Sequence, residues 1–282
     1  MKYFKMIFVA AITAAFMSGC SKKAYASGTI KEKTETSVIK VNPEYEKIDR
    51  VYTKMSERFK TEIQISDKEV FLSDLKTVLE EEKKYNPNDV PLYYLIDKKH
   101  NIGENYVPDG LVKLTDKTDY NFWRDDLSLR PDAESALRVM ARAAKADGIT
   151  LLVSSTYRSY EYQKKLFQRW VDIDGLEEAE RESARAGTSQ HQLGLAVDFG
   201  SIDDSFAETK MGAWMYENAA SYGWSLSFPK NYEDITGYRW ESWHFRFVGV
   251  PACNFQKKYF NDVQQYMLEF IDAWKNDTGD GV

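Results

Sequence analysis

Histidine and cysteine are scarce in this chain: three of the former, His100, His191 and His244, and two of the latter, Cys20 and Cys253, among 282 residues. So few thiols exclude a disulfide framework, and an apolar core has to carry the stability. Long basic runs are missing too, and the formal net charge is −6. Without a Lys/Arg face there is nothing to neutralise phosphates, which excludes a nucleic-acid partner. The apolar run from Met6 to Met17 is too short to cross a bilayer as a stable helix. What is present is 43% hydrophobic and 14% aromatic residues, ample for one good core with a helical appendage.

The N-terminus has the layout of a signal peptide over residues 1–19: Lys2 and Lys5, the apolar run, then small residues ending in Gly19-Cys20. That ending resembles the lipobox of bacterial lipoproteins, which implies acylation of Cys20 and a membrane anchor in the bacterial cell envelope, outside the cytoplasm. Removing residues 1–19 takes away two lysines and no acid, so the charge moves from −6 to −8. Residues 20–42 are small, polar and charged and read as a flexible tether.

Residues 43–90 predict a helical extension. A first helix runs from Pro43 to about Ile63 on the spacing of Tyr45, Ile48, Val51, Tyr52, Met55 and Phe59. A second starts at Ser66, where Ser66 and Glu69 form a capping box, and stops before Pro87. The pair forms a hairpin on the main domain, a spacer, or a docking module for a partner. The main domain spans 91–282. Its expected strands are PLYYLID, ITLLVSS, LGLAVDF and ESWHFRFVG; its expected helices begin at Pro131, near Tyr157, near Asp204 and, as one long terminal helix, at Asn254. Without a regular βαβ period, this mixture predicts an α+β fold: helices around a small, largely antiparallel sheet.

Two of the histidines stand in suggestive places. His191 lies in SQHQLGLAVDFG, seven residues before Asp198. In ESWHFRFVG, Trp243, Phe245 and Phe247 alternate as an apolar face, which sends His244 and Arg246 the other way. Two imidazoles and a carboxylate suit a catalytic zinc with an open fourth position. Glu241, three residues before His244, is placed to act as general base. On a regular strand it would face away from His244, so it is expected in the turn before the strand or on a bulge. Arg246 is expected to pair with a ligand carboxylate. His100 reads as an exposed loop residue, Cys253 as buried packing, and Trp243 as core or cleft wall. From spacing alone, surface or hydrogen-bonded core histidines remain an alternative.

Taken together, SSTYRSYEYQ, SQHQLGLAVDFG and ESWHFRFVG resemble the VanY-like zinc D-alanyl-D-alanine carboxypeptidases, which carry S-x-H-x-x-G-x-A-x-D and then E-x-W-H, preceded by S-G-Y-R-S. The match runs from about Pro91 to Trp274. It departs at Thr156, where glycine is usual, at Ser242, where proline is common, and at Phe247, where tyrosine is common. The resemblance implies a single Zn2+ per chain on His191, Asp198 and His244, with Glu241 as catalytic base and Arg158 facing the substrate carboxylate. Ser189 and Gln163 are further expected substrate contacts.

The expected activity is removal of the C-terminal D-alanine from peptidoglycan stem peptides, at either a D,D- or an L,D-bond. A peptidoglycan endopeptidase and a non-catalytic cell-wall-binding lipoprotein on the same fold are the alternatives. Glu241 speaks against the second, since a pure binder has no use for a base beside three ligands.

Overall fold

A computed structural model describes residues 42–85 and 87–279. The expected signal peptide, Cys20 and most of the tether lie outside the described residues. No helix among those described is long and apolar enough to cross a membrane.

The chain enters through three helices, α1 (Pro43–Lys54), α2 (Glu57–Glu62) and α3 (Lys68–Glu82). The helix expected to run unbroken to Ile63 is interrupted at Met55 and Ser56. Ser56 takes an extended backbone and its hydroxyl accepts from Phe59 N, so it caps a new helix. The Tyr52 hydroxyl, donating to the carbonyls of Lys60 and Ile63, ties this corner down. The next cap is Asp67, not Ser66: its carboxylate accepts from Glu69 N and Val70 N, and an acid suits the positive end of the helix dipole. α1 packs on the C-terminal helix α9 (Gln264–Asn276), and α3 on α8 (Val250–Tyr259). Phe59 and Phe71 both lie in one aromatic cluster with Phe260 and Phe270.

The main sheet has five strands in the order β2-β4-β5-β7-β6. They are β2 (Asn121–Phe122), β4 (Leu152–Ser155), β5 (Ala196–Phe199), β6 (Trp224–Leu226) and β7 (His244–Phe247). Only β2 and β4 run parallel; the other pairs are antiparallel, the small and largely antiparallel sheet expected. A separate antiparallel pair joins β1 (Val112–Lys113) to β3 (Ser128–Leu129). The connecting helices are α4 (Pro131–Ala146), α5 (Tyr160–Glu182), α6 (Lys210–Asn218) and the single turn α7 (Glu233–Thr236).

Two further expectations fail for traceable reasons. PLYYLID is not a strand: the Leu92 and Tyr94 carbonyls accept from Arg246 Nη2, and Tyr94 N closes a turn on Pro91 O. The single terminal helix is two. Asn261 and Asp262 take left-handed backbone, with φ of 51° and 60°, and the Gln256 amide donates to both the carbonyl and the carboxylate of Asp262. That cross-link satisfies the corner and lets α9 turn back across α1.

One face of β7 is apolar, as the alternation predicts. Phe245 meets Phe199, and Phe247 meets Trp224. The opposite face carries the chemistry.

Candidate functional site

The antiparallel register sets Asp198 directly across from His244, and Ala196 across from Arg246. Partners across such a ladder project to the same face, so the carboxylate and the imidazole meet by backbone geometry alone. On the other side of β5, a register shift between Val153 and Ser155 brings Ser155 opposite Asp198. His191 arrives from a single 3₁₀ turn, Gln190–Leu193, capped by Ser189 and closed by Gly194 at φ 66°. That left-handed closure suits glycine, and a side chain there would press on Leu111 and Arg130.

Three ligand atoms converge within 4.8 Å of one another, one each from His191, Asp198 and His244. His191 Nε2 is 3.2 Å from Asp198 Oδ2, and His244 Nδ1 is 3.0 Å from Asp198 Oδ1. The carbonyl of Thr156 lies 2.7 Å from His191 Nδ1 and can only accept. Nδ1 therefore carries the proton, and the Nε2 lone pair points at the carboxylate. His191 Nε2 and Asp198 Oδ1 are buried and have no hydrogen-bond partner. Acceptors pressed on acceptors in a buried pocket repel one another unless a cation lies between them. Two imidazole nitrogens and a carboxylate oxygen are a donor set that fits zinc.

The electrostatics agree. Burial pushes His191 down to about 4, with the Arg158 charge adding to it, so its ring stays neutral. Burial alone would raise Asp198, but the Arg158 guanidinium holds its carboxyl well below the usual range.

Glu241 sits in the turn before β7, as expected, with its Oε2 3.6 Å from His244 Nδ1. Burial and the Asp198 charge raise its carboxyl well above the ordinary range. Arg158, just ahead of α5, donates from Nη2 to Asp198 at 2.5 Å and from Nε to the Ser155 hydroxyl at 3.0 Å. It lines the cleft at the same time.

The cleft has a volume of about 200 Å³ and reaches from Tyr162 and Trp170 of α5 and Ile202, past His191, Asp198 and His244, to Tyr238. Ser189 and Trp243 line it. Gln163 does not: it is fully buried, its amide donates to Ser183 and Ala184, and its carbonyl accepts from Arg158 Nη1 at 3.4 Å. It braces the arginine from behind rather than meeting a substrate. Arg246 also departs from expectation, because its Nη2 bonds the Leu92 and Tyr94 carbonyls and not a ligand carboxylate. His100 is half exposed as expected, yet its Nδ1 bonds Asp97, whose side chain lines the cleft. Cys253 is a buried free thiol. Thr156, where glycine was usual, accepts from Ser128 N through its hydroxyl and so pins the carbonyl that orients His191.

Gln190 escaped the sequence reading. It lies 3.2 Å from His244 Nε2. Its position between Ser189 and His191 was the only signal available, and the partners that give it meaning are far along the chain.

Residues 126–250 match the sequence profile of VanY, D-alanyl-D-alanine carboxypeptidase. The candidate carboxypeptidase YodJ of Bacillus subtilis (strain 168) is 32% identical over 258 residues, spanning 89% of this chain and 91% of its own length. Among solved structures, the LdcB LD-carboxypeptidase is 34% identical with a TM-score of 0.56, over 64% of this chain and 85% of that one. A vancomycin-resistance D,D-pentapeptidase VanY from a VanB-type cassette, solved as a variant in complex with Zn(II), is 28% identical with a TM-score of 0.51, over 62% of this chain and 98% of that one.

Proposed function

Because the chain belongs to the VanY family of D-alanyl-D-alanine carboxypeptidases, we propose that it removes the C-terminal D-alanine from peptidoglycan stem peptides with one zinc ion per chain on His191, Asp198 and His244. The observation that carries this reading is the convergence of lone pairs without a proton to share, at His191 Nε2 and Asp198 Oδ1, beside a carboxyl of raised pKa in an open cleft. When bound, zinc supplies a Lewis acid for the scissile carbonyl and lowers the pKa of water at the site.

The chain's own groups do the rest. Glu241 takes a proton from the attacking water and returns it to the leaving amine of D-alanine. Its raised pKa comes from burial and from the nearby Asp198 charge, and a poised base works best near the ambient pH. Arg158 has N–H groups beyond those spent on Asp198, Ser155 and Gln163, and these hold the substrate carboxylate as a planar fork. The Ser189 hydroxyl adds a donor at the cleft wall. At the N-terminus, an acylated Cys20 would hold the enzyme on a membrane of the cell envelope. Native protein found wholly in the soluble fraction, with Cys20 unmodified, would refute that anchor.

The similar solved structures are named as an LD-carboxypeptidase and a D,D-pentapeptidase, so bond preference is read out by experiment. Defined pentapeptide, tetrapeptide and cross-linked muropeptides are incubated with the protein, with and without a chelator, and followed by mass spectrometry. Loss of one alanine from pentapeptide or tetrapeptide, abolished by chelation and restored by zinc, is the expected result. Cleavage of the cross-linked dimer alone would make it an endopeptidase; no hydrolysis of any of the three by zinc-loaded protein would leave only a binder.

A further inference from the structure

His244 carries its information about metal binding on the side away from the metal. Its Nε2 is 3.2 Å from Gln190 Oε1, and the Ser227 hydroxyl donates to the same oxygen at 2.7 Å. Gln190 Nε2 faces Gln264 Oε1 at 3.3 Å, and Gln264 Nε2 faces the backbone carbonyl of Ser225 at 3.3 Å. All five residues are buried, none more than 6% exposed.

The direction of this chain is not free. A backbone carbonyl can only accept, so Gln264 has to turn its NH2 to Ser225 and its oxygen to Gln190. Gln190 then has to present its NH2 to Gln264 and its oxygen to His244. An oxygen at that place demands a proton on His244 Nε2, which leaves the Nδ1 lone pair facing Asp198. Rotating either amide would set donor on donor or acceptor on acceptor in a place closed to water.

We infer that Gln190 and Gln264 are positioning residues that transmit the polarity of the Ser225 carbonyl to His244 and lock its metal-binding tautomer before any ion arrives. The inference rests on the zinc reading for its purpose, though the tautomer itself belongs to the metal-free protein. It also makes α9 part of the site, although Gln264 lies beyond residues 126–250 that match the family profile.

Two measurements test it. Long-range 1H–15N correlation spectra of the metal-free protein should show His244 as the Nε2–H tautomer; an Nδ1–H tautomer in the parent chain overturns the inference without any variant. Zinc affinity is then measured by competition with a chromophoric chelator. Gln190→Met removes the acceptor at nearly equal volume and should weaken zinc binding about 10–100-fold, the usual scale for the group behind a ligating histidine. If Gln190→Met does not fold, Gln264→Met, which frees Gln190 to rotate, should show a mixture of His244 tautomers. Parental zinc affinity in folded Gln190→Met, or a single Nε2–H tautomer in Gln264→Met, overturns the inference. A parent chain with the expected tautomer and no measurable zinc affinity would instead sink the metal reading and leave the tautomer lock standing.

Discussion

Phe59 and His191 are buried to almost the same degree, 0% and 2% exposed, and their surroundings share little else. Phe59 lies among the rings of Tyr52, Phe260, Tyr266 and Phe270, with centroids 5.1 to 6.5 Å away. Those contacts carry no direction finer than edge against face, and nothing there is left unsatisfied. Around His191 every bond has a direction: Nδ1 is spent on one carbonyl, and Nε2 is left open toward a carboxylate. Orphaned polar atoms also occur at Arg130 and Arg246, but those are donors. At His191 and Asp198 the orphans are acceptors that converge. Burial that saturates every group builds stability; burial that leaves acceptors facing one another builds a place for a cation.

The comparison can be broken hardest at Glu241. Glu241→Gln should retain the fold and bound zinc while losing roughly two to four orders of magnitude in kcat, since the amide cannot accept a proton. His244→Ala should lose zinc and activity together. Zinc content and turnover measured on the same samples separate the two, and loss of zinc in Glu241→Gln would make Glu241 a ligand instead of a base.

At the other pole, Phe59→Ala should cost about 3–5 kcal/mol of stability through the lost apolar burial and the cavity left behind. That is a fall in Tm on the order of 10 °C for a domain of this size. Below the transition, kcat per folded molecule should stay at the parental value. A selective loss of kcat in the folded variant would mean that the two regions are coupled.

Cys253 sharpens the same contrast chemically. Burial pushes its thiol well above the usual range, so it is expected to resist iodoacetamide near pH 8 in the native state and to react on unfolding. Prompt labelling of folded protein would show that the helical region opens locally.

The smallest effect belongs to the surface. Asp277 bonds Arg50 and Lys54 of α1 at 2.8 Å each, and these two cations hold its carboxyl down at about 2. A depressed carboxylate stabilises the fold above its unfolded value, near 3.9, and loses that contribution as the pH falls through the folded value. Asp277→Asn should therefore lower Tm slightly at neutral pH, with the gap closing toward pH 2. A gap that widened on acidification would reverse the sign of the argument.

How far these regions could be read from the sequence differs in the same way. Ligand types and their order stand in two short motifs, and His191, Asp198 and His244 do meet. The turn placement of Glu241 followed from strand parity. What local pattern could not supply was anything set by a distant partner. Gln190 and Gln264 are 74 residues apart, and neither looks unusual without the other. Arg246 lies on the face that alternation assigned, but its carbonyl partners come from a loop that reads as a strand. The helix breaks at Ser56 and at Asn261-Asp262 were missed because apolar spacing continues across them, while caps and side-chain cross-links decide where a helix stops.

The pairing of Asp198 with His244 across β5 and β7 has a consequence for how such a chain can diverge. The ladder itself sets these two side chains against each other, whereas the long excursion from Gly200 to Trp243 is only partly free to vary, because it also holds β6, the Ser225 and Ser227 groups behind His244, and Glu241. That same excursion supplies Ile202, Phe228 and Tyr238 to the cleft wall. Exchanging Ile202, Phe228 and Tyr238 for the residues of a relative with a different bond preference, with Ser225, Ser227 and Glu241 kept, should therefore move that preference while Asp198 and His244 stay face to face.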